Sequence, residues 1–396
     1  MTQTTITAQP FYVDVPNATL EDLRARLEQT RFADTHDETG WEAGGDSAFL
    51  RRLAEYWRTE FDWRAREEEL NRFAHFRATV DDVKIHFIHE RGRGDKPLPI
   101  ILTHGFPDSF LRFTKLIPLL TDPASHGGDA SDAFDVVVPS MPGFGFSDPP
   151  KSDGTTFHIG SMLHSLMTDE LGYERYGAHG GDWGSTVTEH LARSHPDSVV
   201  GIHLTDVPFW HTFRKPSDLS SAEETHLKRT TDFMMKEGAY AAIQGTRPQT
   251  LAHGLNDSPI GLAAWLVEKF QRWSDNNGDV ESRFTLDELL TNVMLYWTTE
   301  TIGTSFMPYY DFTNAGVMRW MLETAKQWKG ACKVPAGFAL FPRDTSLPPR
   351  HWAQRFYDVQ RWTPMPRGGH FAAFEEPELL AEDLREFFRP LRAAMQ

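Results

Sequence analysis

Apolar residues at helical spacing dominate the first part of the chain. The repeating positions, three or four residues apart, are Leu20, Leu23 and Leu27. This period predicts an amphipathic helix, for which Asn17 or Thr19 would be the N-cap. Ser47 is predicted to cap a second helix, since apolar residues recur behind it at the same spacing. Residues 1–70 are therefore interpreted as a mostly helical segment that wraps around the rest of the protein.

The pattern changes after residue 70. Residues 73–79 and 84–89 alternate apolar and polar positions on either side of Asp81-Asp82, which predicts a β-hairpin. Four short apolar runs follow, at residues 100–102, 136–138, 173–178 and 199–204, with helical segments or long connections between them. Such alternation predicts an α/β protein with a mostly parallel sheet and helices on both faces. Residues 71–206 are assigned to the first part of this core.

The alternation stops near Val207. Residues 207–330 are aromatic-rich and helical in pattern, without a strand-like run, and are predicted to form a helical cap inserted into the sheet domain. Strand-like runs resume at residues 337–341 and 359–362, and residues 377–389 are predicted to form a last helix. Residues 331–396 are therefore assigned to the second part of the core.

Composition narrows the possible classes of function. The chain has 396 residues and a formal net charge of −16, without a basic stripe, so it would repel a phosphate backbone and nucleic-acid binding is not expected. Its 12 Trp and 28 Phe residues suit an apolar small-molecule pocket, although a large core uses the same residues. Cys332 is the single cysteine, so no intrachain disulfide can form.

The sequence carries no evident targeting or membrane signal. Residues 1–10 lack the basic and apolar regions of a signal peptide. No stretch reaches the roughly 18 apolar residues of a membrane span, and no group of ligands has metal spacing. A cytoplasmic protein that does not bind membranes is expected.

The sharpest chemical motif is Ala178-His-Gly-Gly-Asp182-Trp-Gly-Ser185, between a strand-like run and a helix predicted at residues 185–194. This is the setting of a nucleophile elbow, in which small residues two positions before and after the nucleophile permit a tight turn. Asp182 stands where a serine hydrolase has Ser. A carboxylate attacks an sp³ carbon and forms an alkyl ester, although an Asp in such a place can also be an ordinary turn residue.

Two further motifs can complete a site around Asp182. Thr103-His-Gly-Phe-Pro-Asp108 follows a strand-like run, and the N–H of Phe106 can form an oxyanion hole with that of Trp183. Arg367-Gly-Gly-His370-Phe371 follows the last strand-like run, from which a His can reach an elbow nucleophile. The alternatives are a Gly-Pro turn and a structural histidine.

An acid that orients the histidine is expected between Asp182 and His370, after a strand. Asp344 follows one strand-like run, and Asp206 follows another. A carboxylate at either place would fix the tautomer of His370 and stabilise its imidazolium form. The residues alone leave both open, along with the roles of helix cap and surface turn.

Together these motifs resemble the microsomal epoxide hydrolase family of α/β-hydrolases. The matching stretches are His104-Gly-Phe-Pro107, Ser140-Met-Pro-Gly-Phe-Gly-Phe-Ser147, Gly180-Gly-Asp-Trp-Gly184, Gly368-Gly-His-Phe-Ala-Ala-Phe-Glu375, and in the cap Leu255-Asn-Asp-Ser-Pro-Ile-Gly-Leu-Ala-Ala264 and Leu295-Tyr-Trp-Thr-Thr299. The resemblance covers nearly the whole chain, including the N-terminal wrapping region. It implies the α/β-hydrolase fold with a helical cap.

The resemblance also assigns roles. It makes Asp182 the nucleophile, His370 the general base and Asp344, rather than Asp206, the acid. Two cap tyrosines of the family donate to the epoxide oxygen. Tyr240 matches the first, and the second lies in Pro308-Tyr309-Tyr310, where the spacing favours Tyr309 and leaves Tyr310 as the alternative.

The implied function is hydrolysis of an epoxide to a vicinal diol without metal or organic cofactor. A haloalkane dehalogenase, which shares the fold and the Asp nucleophile, is one alternative, and a non-catalytic ligand-binding protein of this fold is another. The resemblance fits detoxification, aromatic hydrocarbon catabolism or natural-product biosynthesis. Membrane-bound relatives carry an N-terminal anchor that is not seen here, so a microsomal location is not expected. The large aromatic cap suggests a homodimer.

Overall fold

The computed structural model describes residues 8–33, 37–150, 158–213, 216–313 and 330–392. Residues 1–7, at the N-terminus where a signal peptide was not expected, lie outside this part. Residues 314–329 of the predicted cap also lie outside it. The helix that begins at Ser47 is capped by Asp46, whose side chain accepts the N–H of Phe49 at 2.7 Å, so the prediction of Ser47 as cap was wrong. The first helix follows Pro16 and has no side-chain cap.

The core of the described chain is one mixed sheet. Its strands are β1 (Gln9–Pro10), β2 (His75–Val80), β3 (Val83–Glu90), β4 (Leu98–Thr103), β5 (Phe134–Pro139), β6 (Tyr176–Gly180), β7 (Val199–Leu204), β8 (Cys332–Leu340) and β9 (Tyr357–Pro364). Their order is β1-β2-β3-β5-β4-β6-β7-β8-β9, with antiparallel pairing from β1 to β5 and parallel pairing from β5 to β9. The predicted mostly parallel sheet is confirmed.

Helices cover this sheet and wrap its edge. Those of the core and N-terminal segment are α1 (Asn17–Glu28), α2 (Ser47–Thr59), α3 (Trp63–Leu70), α4 (Leu116–Thr121), α5 (Ile159–Ser165) and α6 (Trp183–Ser194). Every residue of β4 to β7 is buried, because these central strands have helices packed against them. The consecutive apolar runs of the sequence are the direct consequence of that burial.

The cap lies between β7 and β8 and contains helices of varied length. These are α7 (Ser221–Glu237), α8 (Ala239–Thr246), α9 (Pro248–Asp257), α10 (Pro259–Trp273), α11 (Leu286–Thr299), α12 (Ile302–Ser305) and α13 (Met307–Thr313). A 3-10 turn, Phe209–Phe213, precedes them. The chain then returns to the core through β8, α14 (Arg350–Gln354), β9, α15 (Ala372–Glu375) and α16 (Pro377–Arg392).

The N-terminal segment is joined to both the hairpin side of the core and the cap. Strand β1 pairs with β2 of the hairpin, with Gln9 opposite Arg77 and Pro10 opposite Phe76. Tyr56 on α2 donates its hydroxyl to Asp287 on α11 at 2.9 Å. Within the described residues, no helix combines the length and the apolar character needed to cross a bilayer.

Candidate active site

Asp182 occupies a sharp turn between β6 and α6. Its backbone has φ +57° and ψ −130°, an unfavourable region for a residue with a side chain, which costs about 1–3 kcal/mol. The turn is tight enough that a Cβ on Gly180 would collide with the carbonyl of Gly184, and one on Gly184 with that of Thr103. The glycines of the motif are therefore required by the backbone, and the turn presents the carboxylate at the carboxyl edge of the sheet.

The loop after β4 lies beside this carboxylate. The N–H of Phe106 donates to Asp182 Oδ1 at 3.0 Å, and the N–H of Trp183 donates to the same carboxylate. Gly105 permits this approach, since a Cβ there would overlap the Asp182 side chain. The two amides predicted to form an oxyanion hole thus converge on one carboxyl group.

Cap helix α11 fixes the shape of that loop. Asn292 donates its side-chain amide to the carbonyl of Pro107 at 2.9 Å, and Tyr296 donates its hydroxyl to the carbonyl of Asp108 at 2.8 Å. The Asp108 side chain turns back to accept the N–H of Gly105 at 3.1 Å. The position of the Phe106 amide therefore depends on the cap as well as on the core.

His370 and Asp344 complete a chain of contacts that starts at Asp182. His370 Nε2 lies 3.3 Å from Asp182 Oδ2, and His370 Nδ1 donates to Asp344 Oδ1 at 2.7 Å. The Asp344 oxygen also accepts the N–H of Thr345 at 2.6 Å. Asp182 follows β6, Asp344 follows β8 and His370 follows β9, so loops at the same edge of the sheet supply one continuous array. This is the arrangement of nucleophile, base and orienting acid.

Asp206, the rival acid, lies at the end of β7 and faces the same region from a different side. No hydrogen bond joins it to His370 among the described contacts, while Ser185 is its side-chain partner. Burial raises the pKa of Asp206 to about 7, and the charges of Asp344 and Asp182 add to this effect. The structure therefore brings Asp344, and not Asp206, to the imidazole.

The charges of the array stabilise one another. Burial by itself would raise the pKa of Asp182, but the imidazole of His370 and the two amides outweigh burial, and the pKa is lowered. Burial would likewise lower the pKa of His370, but Asp344 and Asp182 overcome this and raise it to about 10. At neutral pH His370 is therefore an imidazolium beside the Asp182 carboxylate.

Tyr240 on α8 and Tyr309 on α13 stand opposite the carboxylate. Their rings are 5.8 Å apart and nearly perpendicular. The Trp183 ring packs edge to face against that of Tyr309, with the ring centroids 5.2 Å apart. Burial raises the pKa of both tyrosines, and the negative charge of Asp182 raises it further, so both stay protonated at neutral pH.

Tyr310 is placed differently from its neighbour. Tyr309 is 8% exposed and lines the cavity beside Asp182, whereas Tyr310 is 38% exposed and does not contribute to the cavity wall. The helical turn of α13 separates the two because adjacent residues of a helix point in different directions. The structure thus brings Tyr309 together with Tyr240 and Asp182.

A cavity of about 620 Å³ extends from Asp182 between the core and the cap. Its wall is mainly apolar and aromatic, with the 3-10 turn Phe209–Phe213 on one side and α7, α8 and α13 on the other. Tyr240 and Tyr309 contribute to this wall, and Asp206 and Thr186 are among the other polar residues that line it. Such a cavity suits a small apolar molecule oriented by few polar contacts.

Several contacts to His370 could not be foreseen from the sequence. Its N–H donates to the carbonyl of Trp273 in the cap at 2.8 Å, and its carbonyl accepts a hydrogen bond from Arg112. Arg112 is buried and paired with Asp108 at 2.8 Å. Glu375 ends the family motif at residues 368–375, but no role in the site was assigned to this glutamate from the sequence. Among the described residues, no cluster of His, Cys, Asp and Glu could hold a metal ion.

Comparisons with known proteins agree with this geometry. Residues 8–113 match the family profile of the epoxide hydrolase N terminus, and residues 99–249 match that of the alpha/beta hydrolase fold. A putative epoxide hydrolase of Stigmatella aurantiaca is 44% identical over 97% of this chain and 85% of its own length. Epoxide hydrolase 1 of Sus scrofa is 38% identical over 96% of this chain and 88% of its own.

The solved structure of Aspergillus niger epoxide hydrolase has a similar fold. It superposes with a TM-score of 0.83 at 31% sequence identity, covering 98% of this chain and 97% of that one. The predicted α/β-hydrolase fold is thereby confirmed, and the protein is an α/β-hydrolase with a helical cap. The chain belongs to the epoxide hydrolase family, as the sequence motifs indicated.

Proposed function

We propose that this chain hydrolyses an apolar epoxide to a vicinal diol through a covalent ester on Asp182. The observation that carries the proposal is the convergence of three features on one apolar cavity. These are the Asp182 carboxylate, the His370 Nε2 that lies 3.3 Å from it, and the side chains of Tyr240 and Tyr309, which line the same cavity as Asp182. A nucleophile on one side and proton donors on the other match the two ends of an opening oxirane ring.

The first half-reaction opens the ring. Asp182 Oδ1 is held by the Phe106 amide, so Oδ2 is the oxygen left to attack a ring carbon. The carbon–oxygen bond breaks as the new ester bond forms, and the tyrosine pair supplies a proton to the leaving oxygen. That proton is needed because an alkoxide is a poor leaving group near neutral pH.

The second half-reaction hydrolyses the ester. Esterification removes the charge of Asp182, which is one cause of the raised pKa of His370. The pKa of His370 therefore falls, and its proton is released through solvent to the tyrosinate formed in the first step. Neutral His370, oriented by Asp344, then takes a proton from water as that water attacks the ester carbonyl.

The amides of Phe106 and Trp183 stabilise the oxyanion on Oδ1 of the resulting tetrahedral intermediate. Collapse of this intermediate breaks the bond between the carboxyl carbon and the alkyl oxygen. The proton of the added hydroxyl passes to that departing oxygen, so the diol leaves neutral, Asp182 returns as a carboxylate and His370 as an imidazolium.

The cavity favours an epoxide over a haloalkane. A departing halide requires N–H donors and no proton, whereas the donors that face Asp182 include two tyrosine hydroxyls. A non-catalytic binding protein would have no need for Asp182, His370 and Asp344 in one array.

A single turnover in H₂¹⁸O tests this proposal. Excess enzyme with styrene oxide should give unlabelled diol, because the added oxygen comes from Asp182, and the label should appear in the peptide that contains Asp182. Labelled diol in the first turnover would mean direct attack by water. A matched assay with 1-bromobutane should show no bromide release; rapid release would favour the dehalogenase.

The homodimer and the cytoplasmic location expected from the sequence are separate predictions that need their own measurements. Sedimentation velocity of the purified protein measures the first. Fractionation of producing cells measures the second.

A further inference from the structure

Glu375, the last residue of α15, holds the backbone on both sides of His370. Its Oε1 accepts the N–H of Phe371 at 3.0 Å, and its Oε2 accepts the N–H of Gly369 at 3.1 Å. The same Oε2 accepts the N–H of Asp275, a cap residue, at 2.8 Å. One partly buried carboxylate thus satisfies three backbone donors, two of which flank the catalytic base.

The cap chain after α10 lies directly against this loop. The carbonyl of Trp273 accepts the N–H of His370 at 2.8 Å, and Asp275 Oδ2 accepts the N–H of Gly368 at 3.0 Å. Contact is close enough that a Cβ on Gly369 would lie 2.6 Å from the Trp273 carbonyl oxygen. Glycine at this place is therefore required for the cap to reach the base loop. Glu375 fastens the contact from the core side.

We propose that Glu375 is a positioning residue for ester hydrolysis. Its carboxylate links residues 368–371, the His370 loop, to the cap and so keeps the imidazole next to Asp182. The proposal rests on the function proposed above. Glu375 touches neither the cavity nor the reacting atoms, and it acts through the backbone of Gly369 and Phe371. Ring opening requires Asp182 and the tyrosines, which Glu375 does not contact, whereas hydrolysis requires His370 in a defined position.

The variant Glu375→Gln separates these two steps. The glutamine amide keeps one acceptor oxygen but places an NH₂ group where the second oxygen was. Since an NH₂ group cannot accept a backbone N–H, the loop loses at least one of its hydrogen bonds. A displacement of about 1 Å can cost on the order of 10²-fold, so hydrolysis should slow by roughly 10–100-fold. Alkylation should be nearly unchanged. Since burial raises the pKa of Glu375 to about 7, the assay is run at pH 8.5, where the wild-type carboxylate is ionised.

Steady-state kinetics provide the readout. When a late step slows and ring opening does not, kcat and KM fall together and kcat/KM stays constant. Intact-protein mass spectrometry during turnover should show a rising fraction of Glu375→Gln enzyme with one added substrate mass. General damage to the site would lower kcat/KM as well, so the split between kcat and KM distinguishes positioning from loss of structure.

Glu376→Gln is the matched control. Glu376 is a neighbouring buried carboxylate whose side-chain partners are the guanidinium groups of Arg367 at 2.8 Å and Arg283 at 3.0 Å. Among the described contacts, its side chain accepts no backbone N–H of residues 368–371. This variant should lose thermal stability and keep the wild-type kcat and KM. Glu375→Asp, whose carboxylate is retracted by one methylene, should show a weaker form of the same kinetic split, and it replaces Glu375→Gln if that variant does not fold.

His370→Gln serves as the reference for the covalent mechanism. If Glu375→Gln or Glu375→Asp keeps the wild-type kcat, or loses kcat/KM in proportion to kcat, the positioning role of Glu375 is wrong. If His370→Gln is inactive and carries no adduct, the proposed function itself is wrong. Adduct on His370→Gln together with normal kinetics of the Glu375 variants would overturn only the present inference.

Discussion

The carboxyl edge of the sheet and the helical cap contribute to the same site in different ways. Asp182 lies in the tight turn directly after β6, and Asp344 and His370 lie in the loops that follow β8 and β9. Tyr240 and Tyr309 project from short cap helices, and their positions depend on how α8 and α13 pack together. One region is fixed by local backbone geometry and the other by tertiary packing.

This difference predicts a difference in function. Groups held by loops at the edge of one sheet keep defined positions, which suits covalent chemistry that needs the nucleophile and the base at a fixed distance. Groups on a cap can shift with substrate, which suits proton donation to an oxygen that moves as the ring opens. Replacement of a strand-end residue should therefore remove a whole chemical step, while replacement of a single cap tyrosine should weaken one.

The largest effect is expected for Asp182→Ala. Without the carboxylate no ester can form, and the loss of kcat should be on the order of 10⁴–10⁶-fold, as for other covalent nucleophiles. Diol formation is measured by chromatography, and a thermal melt shows whether the variant is folded. A folded variant that still forms diol at a substantial rate would show that Asp182 is not the nucleophile.

His370→Gln should have the next largest effect, and it should interrupt the reaction rather than prevent it. General-base catalysis contributes typically 10²–10⁴-fold, so ester hydrolysis should slow by about that factor while Asp182 still opens the epoxide. Intact-protein mass spectrometry should show one added substrate mass, and peptide mapping should place it on Asp182.

Asp344→Asn is the companion variant. It disturbs the tautomer of His370 without removing the base, so adduct should accumulate to a smaller extent. Complete loss of turnover with unmodified protein in both variants would contradict a covalent intermediate.

The residues that follow the strands, Asp182, Asp344 and His370, could be predicted from the sequence because short motifs around them mark tight turns and strand ends. Glycines at 180 and 184 are required by the tight turn around Asp182, and the order of strands places the other two residues at the same edge. The mostly parallel sheet could be predicted from the short apolar runs, because strands that are buried on both faces consist almost entirely of apolar residues.

Contacts between distant parts of the chain could not be predicted in this way. Glu375 meets Asp275 across 100 positions, and Arg112 meets His370 across 258, with no periodicity or motif that links them. Residue types alone also failed to separate Asp344 from Asp206, because both follow a strand. Even the cap of α2 was misassigned by one residue, since Asp46 and Ser47 are both good N-caps.

The cap tyrosines should show smaller single effects and a strong combined one. Tyr240→Phe and Tyr309→Phe should each slow ring opening by about tenfold, because the remaining hydroxyl still donates, and the double variant by roughly 10²–10⁴-fold. The measurement is the rate of adduct formation in a His370→Gln background, which isolates alkylation from hydrolysis.

Tyr310→Phe is the matched control for Tyr309. Tyr310 does not line the cavity, so this variant should alkylate at the rate of its parent. If Tyr310→Phe slowed alkylation and Tyr309→Phe did not, the assignment within the pair would be reversed, and the cap would present a different face to the substrate.

The smallest effect on activity is expected for Asp206→Asn, and it sharpens the comparison within the core itself. Asp206 and Asp344 end adjacent strands, but only Asp344 is hydrogen-bonded to His370. Asp206→Asn should therefore keep most of the turnover and form no persistent adduct, in contrast to Asp344→Asn. An activity loss equal to that of Asp344→Asn would show that both carboxyls orient the base.

Stability provides the second measure of Asp206. Its pKa is about 7 in the folded protein and ordinary in the unfolded chain, where an Asp titrates at about 4. Between these values the folded state binds the proton and the unfolded state does not, so this residue's contribution to stability falls as pH rises through the window and is constant above it. Asparagine has no such titration. The melting temperature of Asp206→Asn should therefore increase relative to that of the wild type between about pH 4 and 7. At pH 8 this difference in melting temperature should be about 2 °C or more larger than at pH 4. A difference that does not change with pH would mean that Asp206 is already ionised in the folded protein, and that the neighbouring carboxylates do not hold its proton.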